Sequence, residues 1–179
     1  MLQKSSISRT AELFFVNPTK KIYLMEISRK IQLAHTSVKK NLDTLVKLGL
    51  ITRSVEKKGE RKFPIYLANR DNKLFKEHKM IYNLSSLLES GIIKYIEEKI
   101  MPASLIVFGS YQRGEDTEES DIDLFVEGKE ESLELHIFEK KLKRKIQLHF
   151  KEQFASYPKE LKNNLINGIV LSGFLEGYK

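Results

Sequence analysis

Apolar positions in the first 70 residues recur three times at helical spacing, then change to the short β-branched runs of strands. Between Ser8 and Val16, the residues Ala11, Leu13, Phe14 and Phe15 predict a first helix, and NPTKK interrupts it with a turn. In LMEISRKI, Leu24, Ile27 and Ile31 predict a second helix, closed by a tight turn at QLA. In HTSVKKNLDTLVKLG, Val38, Leu42, Leu45 and Leu48 line one face of a third helix, and Gly49 stands where it should stop. LITRSV and KFPIYLA then flank EKKGER, which predicts a β-hairpin with Gly59 in its turn. Pro64 fits that hairpin only where its strand has a free edge.

The second half alternates between the two patterns. Residues 71–100 read as a helical connector, with Leu74, Met80, Ile81, Leu84, Leu87 and Leu88 at mixed spacings, a break at Ser90-Gly91, and IIKYIEEKI as a further helix ended by Pro102. ASLIVFGS is a nearly continuous apolar run, as expected of a buried strand, and YQRG after it predicts a short helix. SDIDLFVEG predicts a second strand. EESLELHIFEKKLKR reads as an amphipathic helix, KIQLHFKEQF as a third strand, and SYPKELKNNLINGIVLSG as a helix plus an apolar strand. In that last helix Leu161, Leu165 and Ile166 form the expected packing face.

Composition narrows the chemistry. With 179 residues and 41% hydrophobic residues, the chain can build one ordinary core or two small ones. It has no cysteine, so disulfides, thiolate metal sites and thiol catalysis are excluded. No apolar run reaches the ~20 residues of a bilayer span and the N-terminus has no signal-peptide pattern, so a cytoplasmic protein without a membrane partner is expected. The formal charge of +7 is unevenly divided: residues 1–70 hold 15 Lys/Arg against 5 Asp/Glu, a local +10, and the remainder carries −3. A basic module joined to a second one of different chemistry is the implied organisation.

The second and third helices, separated by three or four residues, form a helix-turn-helix. Together with LVKLGLITR and the basic hairpin, residues 5–70 resemble the winged helix-turn-helix domain of prokaryotic transcriptional regulators. That resemblance implies a helix entering the major groove of double-stranded DNA through His35, Thr36, Ser37, Lys39 and Lys40. It also implies a wing touching phosphates through Lys57, Lys58, Arg61 and Lys62. A solvated surface or a protein-interaction winged helix is the alternative. His35 and His78 lack metal-ligand spacing.

Gly109-Ser110 ends one apolar run, and after ten polar-loop residues Asp121 and Asp123 begin another. Strand periodicity puts the two aspartates on the same face, where they repel unless a cation sits between them; hard divalent ions suit such a pair. FGSYQRGEDTEESDIDLFV resembles the signature of the DNA polymerase β-like nucleotidyltransferase superfamily. It is most similar to the minimal nucleotidyltransferases of archaea and bacteria, relatives of kanamycin nucleotidyltransferase, over about residues 85–179. The resemblance implies an NTP, ATP first among the candidates, with its triphosphate held at Gly109 and Ser110. Mg²⁺ (or Mn²⁺) would be bound by Asp121 and Asp123, which are the catalytic residues. Arg113 is either a phosphate contact or a surface arginine.

The pattern departs from that family in one place. The third carboxylate expected on the following strand is replaced by Gln147, with His149 two residues on and Glu152 further along.

The expected architecture is two domains. Residues 1–70 form a winged helix-turn-helix, mainly α with a β-hairpin wing; 71–100 a helical connector; and 101–179 an α/β nucleotidyltransferase fold with a small mixed sheet. Three functions follow. One is a Mg²⁺-dependent enzyme that transfers NMP to a hydroxyl acceptor and is targeted or regulated by the winged helix. Another is a DNA-binding transcriptional regulator with a catalytically degenerate nucleotide-sensing domain. The last is an antitoxin-like protein with a helical toxin partner encoded nearby. A homodimer through the connector helices is compatible with each.

Overall fold

The computed structural model describes residues 4–152 and 158–175, apart from the side chains of Lys58 and Glu160. The chain divides into two compact units, Met1–Lys79 and Met80–Lys179.

The first unit runs α1 (Ser6–Val16), β1 (Ile22–Tyr23), α2 (Leu24–Ile31), α3 (His35–Lys47), β2 (Ile51–Lys58) and β3 (Arg61–Ala68). Its antiparallel sheet has the order β1-β3-β2. The first helix starts two residues earlier than its apolar pattern suggests, because the Ser5 hydroxyl accepts a hydrogen bond from the Ser8 N–H at 3.2 Å and caps it. Phe14, Ile27, Val38 and Leu42 are fully buried where the helices meet. A neutral polar pair ties α1 to α3 inside this packing: Asn41 Nδ2 donates to Thr10 Oγ1 at 3.0 Å, and Thr10 Oγ1 donates to the Ser6 carbonyl at 2.8 Å.

Leu48, expected on the buried face of α3, is instead 50% exposed. The helix ends at Lys47, and Gly49 at φ +72° turns the chain away before Leu48 can join the apolar stripe. Although β3 is the central strand, β1 pairs only with Ile65 and Tyr66, so Pro64 stands on a free edge opposite Val55 of β2.

Residues 71–100 form α4 (Lys73–Ser90) and α5 (Ile92–Ile100), and the division between the units falls inside α4. In the second unit Leu87, Ile92, Ile93 and Ile96 join the core, whereas Ile81 and Leu88 remain exposed. The strands are β4 (Ser104–Phe108), β5 (Ile122–Glu127), β6 (Ile146–Lys151) and β7 (Ile169–Gly173), in the order β6-β5-β4-β7. β4 is antiparallel to β5 and β7, and β5 is parallel to β6, giving the expected small mixed sheet.

Both faces of this sheet are covered, which explains the unbroken apolar run SLIVF in β4. Leu105, Val107, Ile122, Leu124 and Val126 pack with α4 and α5 on one face. Ile106, Phe108 and Phe125 pack with Leu165 on the other. Leu165 belongs to α8 (Lys159–Ile166), whose expected packing face is narrower than its sequence suggests: Ile166 is 62% and Leu161 38% exposed. The helix before β6 is also shorter than expected. α7 spans only His136–Leu142, and Leu133, Leu135 and Phe138 pack on the core partly from outside it.

Candidate functional site

The second unit draws four polar side chains together at one end of its sheet. β4 ends at Phe108, and α6 (Gly109–Gln112) begins there with Gly109 at φ +79°. The β4–β5 register sets Phe108 opposite Asp123, so the Gly109 backbone passes directly beside that carboxylate. A Cβ added to Gly109 would lie 2.7 Å from Asp123 Oδ2. Glycine is needed at this position for its backbone angle and for the space.

Parallel pairing of β5 with β6 places Asp123 beside Gln147, and the two-residue period brings Asp121, Asp123, Gln147 and His149 to one face. Gln147 Nε2 donates to Asp121 Oδ2 at 3.2 Å, and His149 Nε2 lies 3.1 Å from Asp123 Oδ1. The Phe108 ring meets the His149 ring edge-on at 5.2 Å and limits its rotation. Gln147 therefore faces the aspartates, and its amide bonds one of them where an acid would repel it.

Behind the site lies a polar network that the sequence does not announce. Asn83 Nδ2 of α4 donates to the Tyr111 carbonyl and to Asp116 Oδ1, both at 2.8 Å, and Arg144 Nη2 lies 3.5 Å from Asp116 Oδ2. Asn83, Asp116 and Arg144 are all buried. Burial, reinforced by the negative charge of Asp116 and by Tyr82 and partly opposed by Arg144, pushes the Tyr111 phenol far above its ordinary pKa. These residues link α6, the loop before Asp121 and the segment before β6, the three pieces that carry the site. Asp116 lies in EDTEES and Arg144 in KKLKRK, runs that read as solvated charge, so no local signal singles them out.

The remaining expected residues are more exposed. Arg113 caps the end of α6 and its Nε donates to Glu115 Oε2 at 2.9 Å, so part of its charge is already countered. A groove of about 380 Å³ opens beside Asp121, between Glu118 and Glu119 on one side and Lys143 and Lys145 on the other.

The donor set fits one hard divalent cation whose shell is completed from outside. Asp121 and Asp123 supply carboxylate oxygens, and the bare Gly109 backbone lets the Asp123 carboxylate sit where a Cβ would otherwise stand. Among the described residues, no group of three His, Cys, Asp or Glu side chains could hold a metal by itself.

In the first unit His35, Thr36, Ser37, Lys39 and Lys40 are all exposed at the start of α3. Lys57, Arg61 and Lys62 are exposed on the β2–β3 hairpin, and the side chain of Lys58 lies outside the described residues. The register sets Lys57 opposite Lys62 and Lys58 opposite Arg61, cross-strand pairs of like charge that cost stability unless anions lie over them. Among the described residues, no helix is long and apolar enough to cross a membrane.

One comparison with known proteins falls within the second unit. The family model described as "Nucleotidyltransferase domain" matches residues 89–171. A Methanocaldococcus jannaschii protein provisionally named a protein adenylyltransferase is 56% identical over 34 residues, which are 19% of this chain and 34% of that protein. The chain thus matches about a third of the length of that curated relative. Among solved structures, a Methanosarcina mazei Go1 protein described as a possible transcriptional regulator aligns at 14% identity with a TM-score of 0.37, covering 52% of this chain and 79% of that one. The nucleotidyltransferase match takes in Gly109, Ser110, Asp121, Asp123, Gln147 and His149 and covers β4, β5 and β6 whole.

Proposed function

We propose that the second unit binds a metal–NTP complex, ATP first among the candidates, and transfers its NMP to a hydroxyl acceptor. The observation that carries this reading is the packing of Asp123 against the bare Gly109 backbone, with Asp121 two residues away on the same face. Gly109 and Ser110 hold the triphosphate at the start of α6, beside the Asp123 carboxylate that the bare glycine admits. Asp121 and Asp123 hold the divalent ion, Mg²⁺ or Mn²⁺, which when bound offsets phosphate charge and orients the α-phosphate for in-line attack. The groove beside Asp121 receives the acceptor, and the name of the Methanocaldococcus relative favours a protein hydroxyl.

The first unit is read as a winged helix that binds double-stranded DNA. The observations behind this are the order α1-β1-α2-α3-β2-β3, the exposed basic start of α3 and the like-charged pairs of the wing. It would target or regulate the nucleotidyl site. A second reading, a transcriptional regulator that senses a nucleotide without turning it over, is favoured by the Gln147 amide bonded to Asp121 in place of an acid.

Calorimetry of NTP binding to the full chain with and without Mg²⁺ tests the site. Replacing both Asp121 and Asp123 by Asn should abolish the Mg²⁺-dependent part, and undiminished binding would remove the assignment. Labelling from an α-phosphate-labelled NTP separates the two readings. Gln147→Asp should raise Mg²⁺-dependent labelling on the order of tenfold or more in a residual enzyme, by restoring a metal-directed carboxylate. A pure sensor would stay silent in both forms.

A further inference from the structure

We infer that the groove beside Asp121 selects its acceptor by charge, taking a polypeptide segment that carries a basic residue on one side of its hydroxyl-bearing residue and an acidic residue on the other. The inference rests on the nucleotidyl-transfer reading given above and adds to it the chemistry of the acceptor. The groove, of about 380 Å³, has an acidic wall at Glu118 and Glu119 and a basic wall at Lys143 and Lys145. Its volume lies at the small end of ligand sites, which limits the occupant to a short stretch of chain.

Both walls are held in place. The turn that carries Glu118 and Glu119 is closed by its ends: the Thr117 N–H donates to Ser120 Oγ at 2.9 Å, and the Ser120 N–H donates to the Thr117 carbonyl at 3.3 Å. In the opposite wall Arg144 is buried between two exposed lysines. Its Nη1 donates to the Lys143 carbonyl at 3.0 Å and its Nη2 lies 3.5 Å from Asp116 Oδ2, so the inward arginine anchors the segment from which Lys143 and Lys145 line the groove. Lys143 stands at φ +55°, at the end of α7 where glycine is usual, and the chain keeps a charged side chain there despite the backbone strain. Among the described residues, neither lysine side chain is paired with a carboxylate, so both charges are open to a ligand.

The two signs decide the class of acceptor. A nucleic-acid strand brings only negative charge, which Lys143 and Lys145 attract but Glu118, Glu119 and Asp121 repel within the same narrow groove. A polypeptide meets both walls at once when its basic residue faces the glutamates and its acidic residue faces the lysines. Such complementarity fixes register more than it adds affinity, and here it fixes which hydroxyl is presented beside Asp121.

Fluorescence anisotropy of labelled peptides with the full chain, loaded with Mg²⁺ and a non-hydrolysable NTP, tests this without relying on turnover. The peptides carry one Ser, Thr or Tyr flanked by Lys and Glu in either order, by Lys on both sides, by Glu on both sides or by Ala on both sides, and a single-stranded oligonucleotide serves as the polyanion. A mixed-charge peptide should bind most tightly. Lys143→Glu combined with Lys145→Glu should weaken that peptide on the order of tenfold and make the peptide with Lys on both sides the preferred ligand. Lys143→Gly should raise the temperature of thermal unfolding, by relieving the backbone, and still weaken the mixed-charge peptide by up to about fivefold, a split that a purely structural lysine would not give. Equal binding of all peptides, a preference that persists in the doubly substituted chain, or tighter binding of the oligonucleotide overturns the inference and leaves the nucleotide reading intact. So does a chain that binds the Mg²⁺–NTP complex and no peptide. If the Mg²⁺–NTP complex itself does not bind, both fall.

Discussion

The two units use their buried polar groups differently. In the first, Asn41 and Thr10 form a neutral pair that ties α1 to α3, and the described side chains proposed to meet DNA, such as Lys39, Lys40, Lys57, Arg61 and Lys62, are exposed. In the second, the buried polar residues Asn83, Asp116 and Arg144 stand directly behind the site and connect the segments that carry it. A surface that reads a polyanion needs only a rigid scaffold beneath exposed cations. A site that opposes two carboxylates needs its loops held in place, and in this protein a buried charge pair holds them.

That contrast can be broken most directly at Asp116. Asp116→Ala leaves the Arg144 guanidinium buried without its carboxylate, and removing one member of a buried ion pair typically costs about 3–5 kcal/mol. Urea unfolding should show a loss of that order in the Met80–Lys179 transition. Asn41→Ala in the first unit should cost only about 1 kcal/mol, since Thr10 keeps its bond to the Ser6 carbonyl. Equal losses at the two sites would show that the buried networks do not differ in the way described.

Gly109→Ala should have the next largest effect. Its left-handed backbone angle and the 2.7 Å approach to Asp123 together cost roughly 1–3 kcal/mol and push the carboxylate out of place. Thermal unfolding would measure the stability loss, and calorimetry the accompanying loss of Mg²⁺-dependent NTP binding. A variant that binds as the parent does would disconnect the glycine cradle from the site.

The wing provides the opposite signature. Replacing Lys57, Arg61 and Lys62 by Ala should leave unfolding nearly unchanged or improve it slightly, because like charges are removed from facing strands. Duplex DNA binding should weaken for all sequences, with the log–log salt slope shallower by about 0.9 for each phosphate that is no longer neutralised. An unchanged slope would reassign the wing to another partner.

The smallest expected effect lies at Tyr111. Burial raises its phenol pKa above the ordinary 10.0, so the folded state keeps the proton after the unfolded state has lost it. The stability this confers is fully present below pH 10.0 and declines as pH rises beyond that value. Tyr111→Phe should flatten that decline relative to the parent. The cost is the long bond from Tyr111 OH to the Asn83 carbonyl, at 3.4 Å. Parallel pH profiles for the two proteins would exclude the effect.

The sequence by itself determined the elements and the residue chemistry, because both are local properties. Helical spacing marks α2 and α3, β-branched runs mark β2 to β5, and the charge division marks the first unit as basic. The two-residue strand period alone puts Asp121 and Asp123 on one face. Element ends were less legible at α1, α3 and α7, where capping by Ser5, the turn at Gly49 and packing outside the helix decide the boundary. Tertiary structure alone decided what meets across the chain. Pairing of β4 with β5 brings Gly109 against Asp123, parallel pairing of β5 with β6 brings His149 to the same carboxylate, and folding sinks Asp116 and Arg144 out of runs that look solvated. Such meetings depend on strand register and on burial of residues 14 to 28 positions apart, and no local pattern encodes either.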